Sequence, residues 1–157
     1  MPNKELIEKY KNLIVASGNK DKYNRMGIYC IKLNDSIVYV GKSLNMLGRV
    51  AQHMVHLENP YCKESNAHKY KILRVAHQQG YKISFDVLCY ARNKYDLAEK
   101  EAQYIEKYSP ALNYQLVKSS GKGWIPNESA KTITLPQLLS LLENNKNKSM
   151  GMCGQSK

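Results

Sequence analysis

The residues best suited to chemistry lie in one short stretch of the chain, positions 26–56. This stretch holds phenols, cations and an imidazole at close spacings, namely Tyr29, Tyr39, Lys42, Arg49 and His53. An arginine can donate two hydrogen bonds to one phosphate, and a histidine or a tyrosine of lowered pKa can carry a proton. The stretch therefore predicts a site that binds phosphate and transfers protons.

A β-hairpin followed by a helix is expected to position these side chains. Two short apolar runs, GIYCIKL and SIVYVG, are rich in Ile, Val and Tyr, which is typical of strands. The polar residues 34–36 between them favour a turn. The helix should begin near Ser43 or Asn45, because either side chain can accept a hydrogen bond from a free backbone N–H group. Arg49 and His53 are four residues apart and would share one face of that helix.

A carboxylate far downstream is the next candidate. The apolar face of a predicted helix over 95–108 consists of Leu97, Tyr104, Ile105 and Tyr108. Glu101 lies on that same face, where a bare carboxylate would cost roughly several kcal/mol. Glu101 is therefore expected either to pair with Arg49 or a lysine, or to bind a metal ion. Periodicity alone leaves both alternatives open.

Helical periodicity marks three more segments. They are 3–16, about 67–79, and a short helix that opens at Thr134 or Leu135. The helix over 95–108 is expected to start with a capping box of Asp96 and Glu99. In the helix over 67–79 the apolar residues should face inward, and the residues expected outside are Lys69, Lys71 and Arg74.

The remaining pattern completes the predicted fold. Alternation over 82–91 predicts a third strand with one strongly buried face. The link 18–25 and the segment KSSGKGWIP are predicted to be loops. Together these elements predict an α/β (α+β) protein, in which a small, mainly antiparallel three-stranded sheet is flanked by helices and carries N- and C-terminal helical additions.

The chain is expected to divide into a core and additions at both ends. The core should span 26–115, after an N-terminal helix and basic link at 1–25 and before a C-terminal loop and short helix at 116–143. The polar stretch 144–157 lacks periodicity and is expected to be disordered. The leucines of the last helix would either pack against the N-terminal helix or form the contact of a homodimer.

Charge and composition narrow the class of partner. The formal net charge of +11 points to a polyanion, nucleic acid before an anionic membrane surface. No apolar run approaches the length of a membrane span, so no membrane partner is expected. No CxxC spacing joins the cysteines, which are expected to be reduced thiols of a cytoplasmic protein. A zinc alternative exists, but its spacing fits no common finger; its ligands would be His53, His56, Cys62 and His68.

The ordered residues of the hairpin and helix resemble a known family. The matching positions are Gly27-Ile28-Tyr29, Tyr39-Val40-Gly41, Lys42-Ser43, Asn45, Arg49 and His53. In this order they resemble the GIY-YIG nuclease superfamily. Glu101 matches the family's acidic position on a helix after the third strand. Asn113, in YSPALN, matches the asparagine that ends the family's core. The resemblance covers residues 26–115.

The resemblance implies a metal-dependent DNA endonuclease that hydrolyses phosphodiester bonds. Double-stranded DNA would be the substrate, and the products would carry 5′-phosphate and 3′-hydroxyl ends. Glu101 would bind a single Mg²⁺ or Mn²⁺ ion, since hard oxygen ligands suit these ions and only one carboxylate falls on the predicted site. The alternative is a catalytically inactive module that has kept the fold and binds nucleic acid.

Each remaining candidate has an expected role in such a reaction. Arg49 would stabilise the charge that develops on the phosphoryl group. Tyr29 or Tyr39 would be the general base, with its pKa lowered by Lys42 or by the metal ion. His53 would take the proton onward or orient a tyrosine, and Asn113 would orient a side chain or the backbone. These roles require Glu101, Arg49 and both tyrosines to meet in one cleft open to solvent.

Overall fold

The structure is a computed structural model that describes residues 3–60, 67–113, 117–119 and 123–143. Its helices are α1 (Asn3–Ala16), α2 (Lys20–Tyr23), α3 (Met46–Glu58), α4 (His68–Gln78), α5 (Lys94–Tyr108), a 3-10 turn (Glu128–Lys131) and α6, over 135–143. Its strands are β1 (Gly27–Leu33), β2 (Ser36–Ser43), β3 (Ile83–Tyr90), β4 (Val117–Ser119) and β5 (Gly123–Ile125). The predicted tail at 144–157 lies outside the described residues.

The main sheet has three antiparallel strands in the order β2-β1-β3, which confirms the predicted fold class. The central strand β1 is buried along almost its whole length because it has a neighbour on each side. The expectation of one strongly buried face on β3 is wrong. Every residue of β3 is only half-buried. Ile83, Phe85 and Val87 are partly buried against the larger core, and Leu88 and Cys89 against the smaller one, so neither face of β3 is fully covered.

Helices cover both faces of the sheet. On one face Ile28 and Cys30 pack with Leu97 and Ile105 of α5. On the other face lies the larger core, which gathers residues from the sheet, α1, α3 and α4 and includes Leu135 and Leu138 of α6. The C-terminal helix thus packs into the core of its own chain. None of the helices in the described ranges is long and apolar enough to cross a membrane.

The hairpin between β1 and β2 contains a bulge. Lys32 lies opposite Ile37, but Ile31 lies opposite Tyr39, so Val38 is an extra residue in β2. In an unbroken ladder Tyr39 would lie opposite Cys30, on the face that α5 covers. The bulge instead places Tyr39 on the same face of the sheet as Tyr29.

Local hydrogen bonds fix the ends of the two helices that carry site residues. Asn45, rather than Ser43, caps α3 and accepts a hydrogen bond from the Gly48 N–H at 3.1 Å. The cap of α5 is Asn93, which accepts from the Asp96 N–H at 2.8 Å. The predicted capping box of Asp96 and Glu99 is therefore wrong, because the helix starts before Asp96 rather than at it.

Two segments predicted as loops contain regular structure. The link 18–25 forms α2, in which Tyr23 is buried and its hydroxyl donates to the Phe85 carbonyl oxygen at 3.0 Å. The segment predicted as a loop after position 117 contains β4 and β5, which pair as a small antiparallel hairpin. Short, polar elements of this kind give little periodicity, and tertiary contacts decide their conformation.

Candidate active site

A cavity of about 330 Å³ lies at the edge strand β2. Its lining residues are Tyr29, Tyr39, Gly41, Lys42, Arg49 and Glu101. All of them except Gly41 belong to the predicted site. The structure thus brings Glu101, from α5, together with the cations and phenols of the hairpin and α3. His53 and Asn113 do not line the cavity but lie behind it.

Tyr29 reaches this cavity because Gly41 lies directly opposite it in the ladder. A Cβ atom on Gly41 would collide with the ring and hydroxyl of Tyr29. The absence of a side chain at this position therefore lets the Tyr29 ring extend over β2. Tyr29 of the Gly27-Ile28-Tyr29 run thus requires a glycine at position 41, at the end of the Tyr39-Val40-Gly41 run.

Behind the cavity His53 joins two tyrosines. It has no exposed surface, and its Nε2 atom lies 2.7 Å from the Tyr29 hydroxyl while its Nδ1 atom lies 2.7 Å from the Tyr70 hydroxyl. Burial, followed by the charges of Arg49 and Lys69, lowers the pKa of His53 well below its ordinary value. The imidazole is therefore neutral, so it donates at one ring nitrogen and accepts at the other.

The two phenols of the cavity keep their protons in the free protein. Burial raises the pKa of Tyr29 and of Tyr39, and the charge of Arg49 opposes that rise in both. Lys42, one of the two cations expected to lower the pKa of a tyrosine beside the metal ion, instead contacts the carboxylate of Glu101. Arg49 is thus the cation that favours a phenolate in this cavity.

Glu101 has both a cationic partner and an opening to the cavity. Its Oε1 atom lies 3.7 Å from the Lys42 Nζ atom, and its side chain is 18% exposed. Burial raises the pKa of Glu101, while the charge of Lys42 acts against the rise. The sequence left Arg49 and a lysine as alternative partners of Glu101; in the structure the partner is a lysine, Lys42.

A divalent metal ion fits the chemistry of this carboxylate. A carboxylate oxygen is a hard ligand, and Glu101 borders a cavity with room for water and phosphate. Within the described residues no group of three or more His, Cys, Asp and Glu side chains gathers to hold an ion. An ion at Glu101 would therefore take most of its ligands from water and substrate. The zinc alternative loses His53, because both of its ring nitrogens contact tyrosine hydroxyls; Cys62 lies outside the described residues.

The part of the chain that forms this cavity matches the model of a known protein family. The model of the GIY-YIG catalytic domain matches residues 25–115, more than half of the chain. The chain belongs to the GIY-YIG family. No curated protein and no solved structure matches it. GIY-YIG domains are nuclease domains that typically use divalent metal ions, so the implied substrate is a nucleic acid.

Within this GIY-YIG domain, Asn113 supports the strand that carries Tyr39. Its side chain is buried, and its Oδ1 atom accepts from the Val40 N–H at 2.8 Å while its Nδ2 atom donates to the Val40 carbonyl oxygen at 2.7 Å. Both backbone groups of Val40 face away from β1 and would otherwise lack partners on this edge. Asn113 therefore acts on the backbone between the two site residues Tyr39 and Gly41.

Sequence reasoning misplaced Lys69, which does not line the cavity of the GIY-YIG site but lies beside it. Lys69 was expected on the outside of α4, but its Nζ atom lies 4.3 Å from the centre of the Tyr39 ring. A signal for this was present, because Lys69 stands three and four residues before the buried Ile72 and Leu73 and so shares their face. A lysine that begins an apolar stripe can lay its stem along the core and direct its charge into a neighbouring site.

A second cavity, of about 870 Å³, opens elsewhere on the domain. It lies between α1, α3, α4 and β3, and its walls are mostly apolar, with Leu13, Met54 and Phe85 among them. None of the predicted site residues lines it. The chemistry of the GIY-YIG motif therefore belongs to the smaller, more polar cavity.

Proposed function

We propose that this GIY-YIG domain is a metal-dependent endonuclease that hydrolyses phosphodiester bonds in double-stranded DNA. The observation that supports it best is that Glu101, Arg49 and two phenols line the same cavity. Phosphodiester hydrolysis needs positive charge at the phosphoryl oxygens, a base for the attacking water and help for the leaving oxygen. The cavity offers a group for each requirement. The net charge of +11 would draw DNA towards it.

Arg49 would bind the phosphate at which the bond breaks. Its guanidinium group borders the cavity and can donate two parallel hydrogen bonds to phosphoryl oxygens. These hydrogen bonds strengthen as negative charge builds on the phosphoryl group in the transition state. Lys42 would hold the Glu101 carboxylate in position by the contact between them.

Tyr29 is the better placed of the two phenols to act as the general base. Its hydroxyl is the only one of the pair that contacts His53 in the described structure. If Nε2 of His53 carries the ring proton, His53 donates to the Tyr29 oxygen and accepts at Nδ1 from Tyr70, whose pKa burial raises so that it keeps its proton. Both the His53 hydrogen bond and the Arg49 charge would then favour a Tyr29 phenolate, which takes the proton of the attacking water.

Glu101 would hold one Mg²⁺ or Mn²⁺ ion. When bound, such an ion supplies charge neutralisation at the phosphate and at the leaving 3′ oxygen. The products would carry 5′-phosphate and 3′-hydroxyl ends. As a DNA-cutting enzyme with free Cys30 and Cys89, the protein would act inside the cell, where thiols stay reduced.

Plasmid nicking with a matched pair of glutamates on α5 tests the proposal. Supercoiled plasmid is incubated with the wild-type protein, Glu101→Gln or Glu99→Gln, in Mg²⁺, in Mn²⁺ and in EDTA. Both substitutions remove one carboxylate charge from α5, but Glu99 is exposed to solvent and does not line the cavity. We expect nicking by the wild type and Glu99→Gln with either metal and none in EDTA. Glu101→Gln should lose about 100-fold or more in rate, because the ion would lose its protein ligand.

The same assay separates the alternative function. Plasmid whose mobility is retarded, but which is not nicked in any metal, would indicate an inactive nucleic-acid-binding module instead of an endonuclease. Nicking by Glu101→Gln at the wild-type rate would remove Glu101 from the metal assignment.

A further inference from the structure

Lys69 is a cation in an unusual place on α4. It lies in the first turn of the helix, is half-buried, and holds its Nζ atom 4.3 Å from the centre of the Tyr39 ring and 5.1 Å from that of Tyr70. A cation over the face of an aromatic ring is attracted to the π electrons, which fixes the direction of the side chain. Since Tyr39 lines the cavity, Lys69 lies next to the place where the substrate would bind.

Among the residues that the structure describes, no carboxylate neutralises the charge of Lys69. Over the described ranges no carboxylate lies within ion-pair distance of its ammonium group, whereas Lys22 and Lys42 each have one. The groups that face it are Arg49 and His53 on α3, Tyr39 on β2 and Tyr70 on its own helix. Burial, followed by the charge of Arg49, lowers the pKa of Lys69 to about 8. The fold thus keeps a cation beside another cation, an arrangement that an incoming anion would stabilise.

We propose that Lys69 binds a backbone phosphate of the nucleic acid strand, next to the phosphate that Arg49 holds. The proposal rests on the proposed function, since it assumes that the cavity takes up a nucleic acid. A phosphodiester supplies the anion that the described protein does not. Lys69 lies over the ring of Tyr39, which lines the cavity together with Arg49. Lys69 is then a binding residue that positions the strand, not a group that takes part in the proton transfer.

Binding of a phosphate should couple to the protonation of Lys69. An adjacent anion favours the charged form and raises the pKa of Lys69 in the complex. Below pH 7 the ammonium is charged in both states, so affinity does not change. Above about pH 8 the free protein loses this proton, and the complex must recover it. Affinity should therefore fall as the pH rises from 7 to 9, by up to about tenfold.

Binding to a short DNA duplex in EDTA, where no metal supports cleavage, tests this. Affinity is measured at pH 7 and pH 9 over a series of salt concentrations. At pH 7 we expect Lys69→Met to bind about tenfold more weakly than the wild type. Its slope of log affinity against log salt should be smaller by about 1. Its affinity should not fall further between pH 7 and pH 9.

Two further variants make the test specific. Lys69→Arg keeps a charge that does not titrate in this range, so it should bind like the wild type at pH 7 and lose the fall towards pH 9. Lys71→Met, on the exposed side of the same helix, should keep the wild-type fall. An NMR titration of the Lys69 side chain should show that the duplex raises its pKa.

Each failure has its own signature. If Lys69→Met binds as tightly as the wild type and shows the same fall with pH, the proposal is wrong, even if the wild type nicks plasmid in a metal-dependent way. If the wild-type protein does not bind the duplex at all, both this proposal and the proposed function are wrong.

Discussion

The hydroxyl of Tyr29 depends on its neighbours on both sides. Gly41 leaves room for the ring, and His53 fixes the hydroxyl at 2.7 Å. The imidazole is itself fixed by the hydroxyl of Tyr70 on α4, 2.7 Å from its Nδ1 atom. Three elements, β2, α3 and α4, therefore determine the position of one oxygen atom. A small displacement in any of them moves the group that would accept the proton.

Replacement of Gly41 by alanine should displace Tyr29. The added methyl group collides with the ring, so we expect a loss of about 1–3 kcal/mol in the free energy of unfolding. A misplacement of about 1 Å is enough to cost roughly 100-fold in rate. Plasmid nicking and urea denaturation of Gly41→Ala measure the two effects.

Gly48→Ala is the matched control. Gly48 lies in the first turn of α3, where a Cβ atom would make only ordinary contact with the Lys11 side chain. It should nick plasmid like the wild type and be more stable by about 0.5–1 kcal/mol, because alanine favours the helix. Normal nicking by Gly41→Ala would show that the close approach of Tyr29 is not needed.

Residue types and spacing predicted the residues that line the cavity better than the residues that lie around it. Glu101 could be singled out because a carboxylate stood on an apolar helical face, and Arg49 because it followed the hairpin. Lys69 was placed outside because a charged residue usually faces solvent. The buried face of α4 begins at Lys69, and its long apolar stem makes that position acceptable.

At the scale of elements, α6 packs against the part of the core that contains Tyr29 and Tyr39. Thr134 and Gln137 form a reciprocal capping box at its start, in which each backbone N–H is bound by the other side chain. Leu138 is fully buried, and Leu135 is buried in the same cluster as Tyr29 and Tyr39. The helix beyond the matched family region is thus a structural part of the domain.

A pair of leucines on α6 tests this attachment. Leu138→Ala should lower the free energy of unfolding by about 2–5 kcal/mol, because it leaves a cavity in the core. Leu141 is 45% exposed, so Leu141→Ala should change it by less than about 0.5 kcal/mol. Urea denaturation of both variants gives the comparison. Equal, small effects would mean that α6 does not pack into the core in solution.

Long elements were predictable and short ones were not. The hairpin, α3 and α5 have enough residues for periodicity to show, and their chemical residues sit at regular spacings. By contrast α2, β4 and β5 have three or four residues each, fewer than a pattern needs. The start of α5 was missed for a related reason. Asn93 is one of several polar residues before the helix, and only the backbone shows which of them caps it.

Over the whole molecule, positive charge exceeds negative charge by a margin that favours a polyanionic partner. The acidic residues that the structure shows in ion pairs, such as Asp86 with Lys22 and Lys32, offset only part of it. Positive charge also prevails in the cavity, where the described lining residues include two cations, Lys42 and Arg49, and one carboxylate, Glu101. Binding of DNA should therefore release counterions and weaken with salt.

The salt dependence of DNA binding measures how much of this charge is used. If about four phosphates are contacted, affinity should fall roughly 100-fold between 50 and 200 mM salt. Fluorescence anisotropy with a labelled duplex gives the slope, and thermal unfolding over the same salt range checks that the fold is unaffected. A nearly flat salt dependence would contradict a binding mode based on phosphate contacts.

The extra residue in β2 restricts how the length of this hairpin can vary. Side chains of consecutive residues in a strand point to opposite faces of the sheet. The extra residue Val38 therefore shifts Tyr39 by one position, onto the face that carries Tyr29. If the bulge is kept, loss or gain of a single residue between Tyr29 and Tyr39 would turn one phenol towards α5, away from Arg49. Changes of two residues would preserve the pairing. Among natural variants of this domain, the number of residues between the two tyrosines and the presence of a bulge should therefore change together.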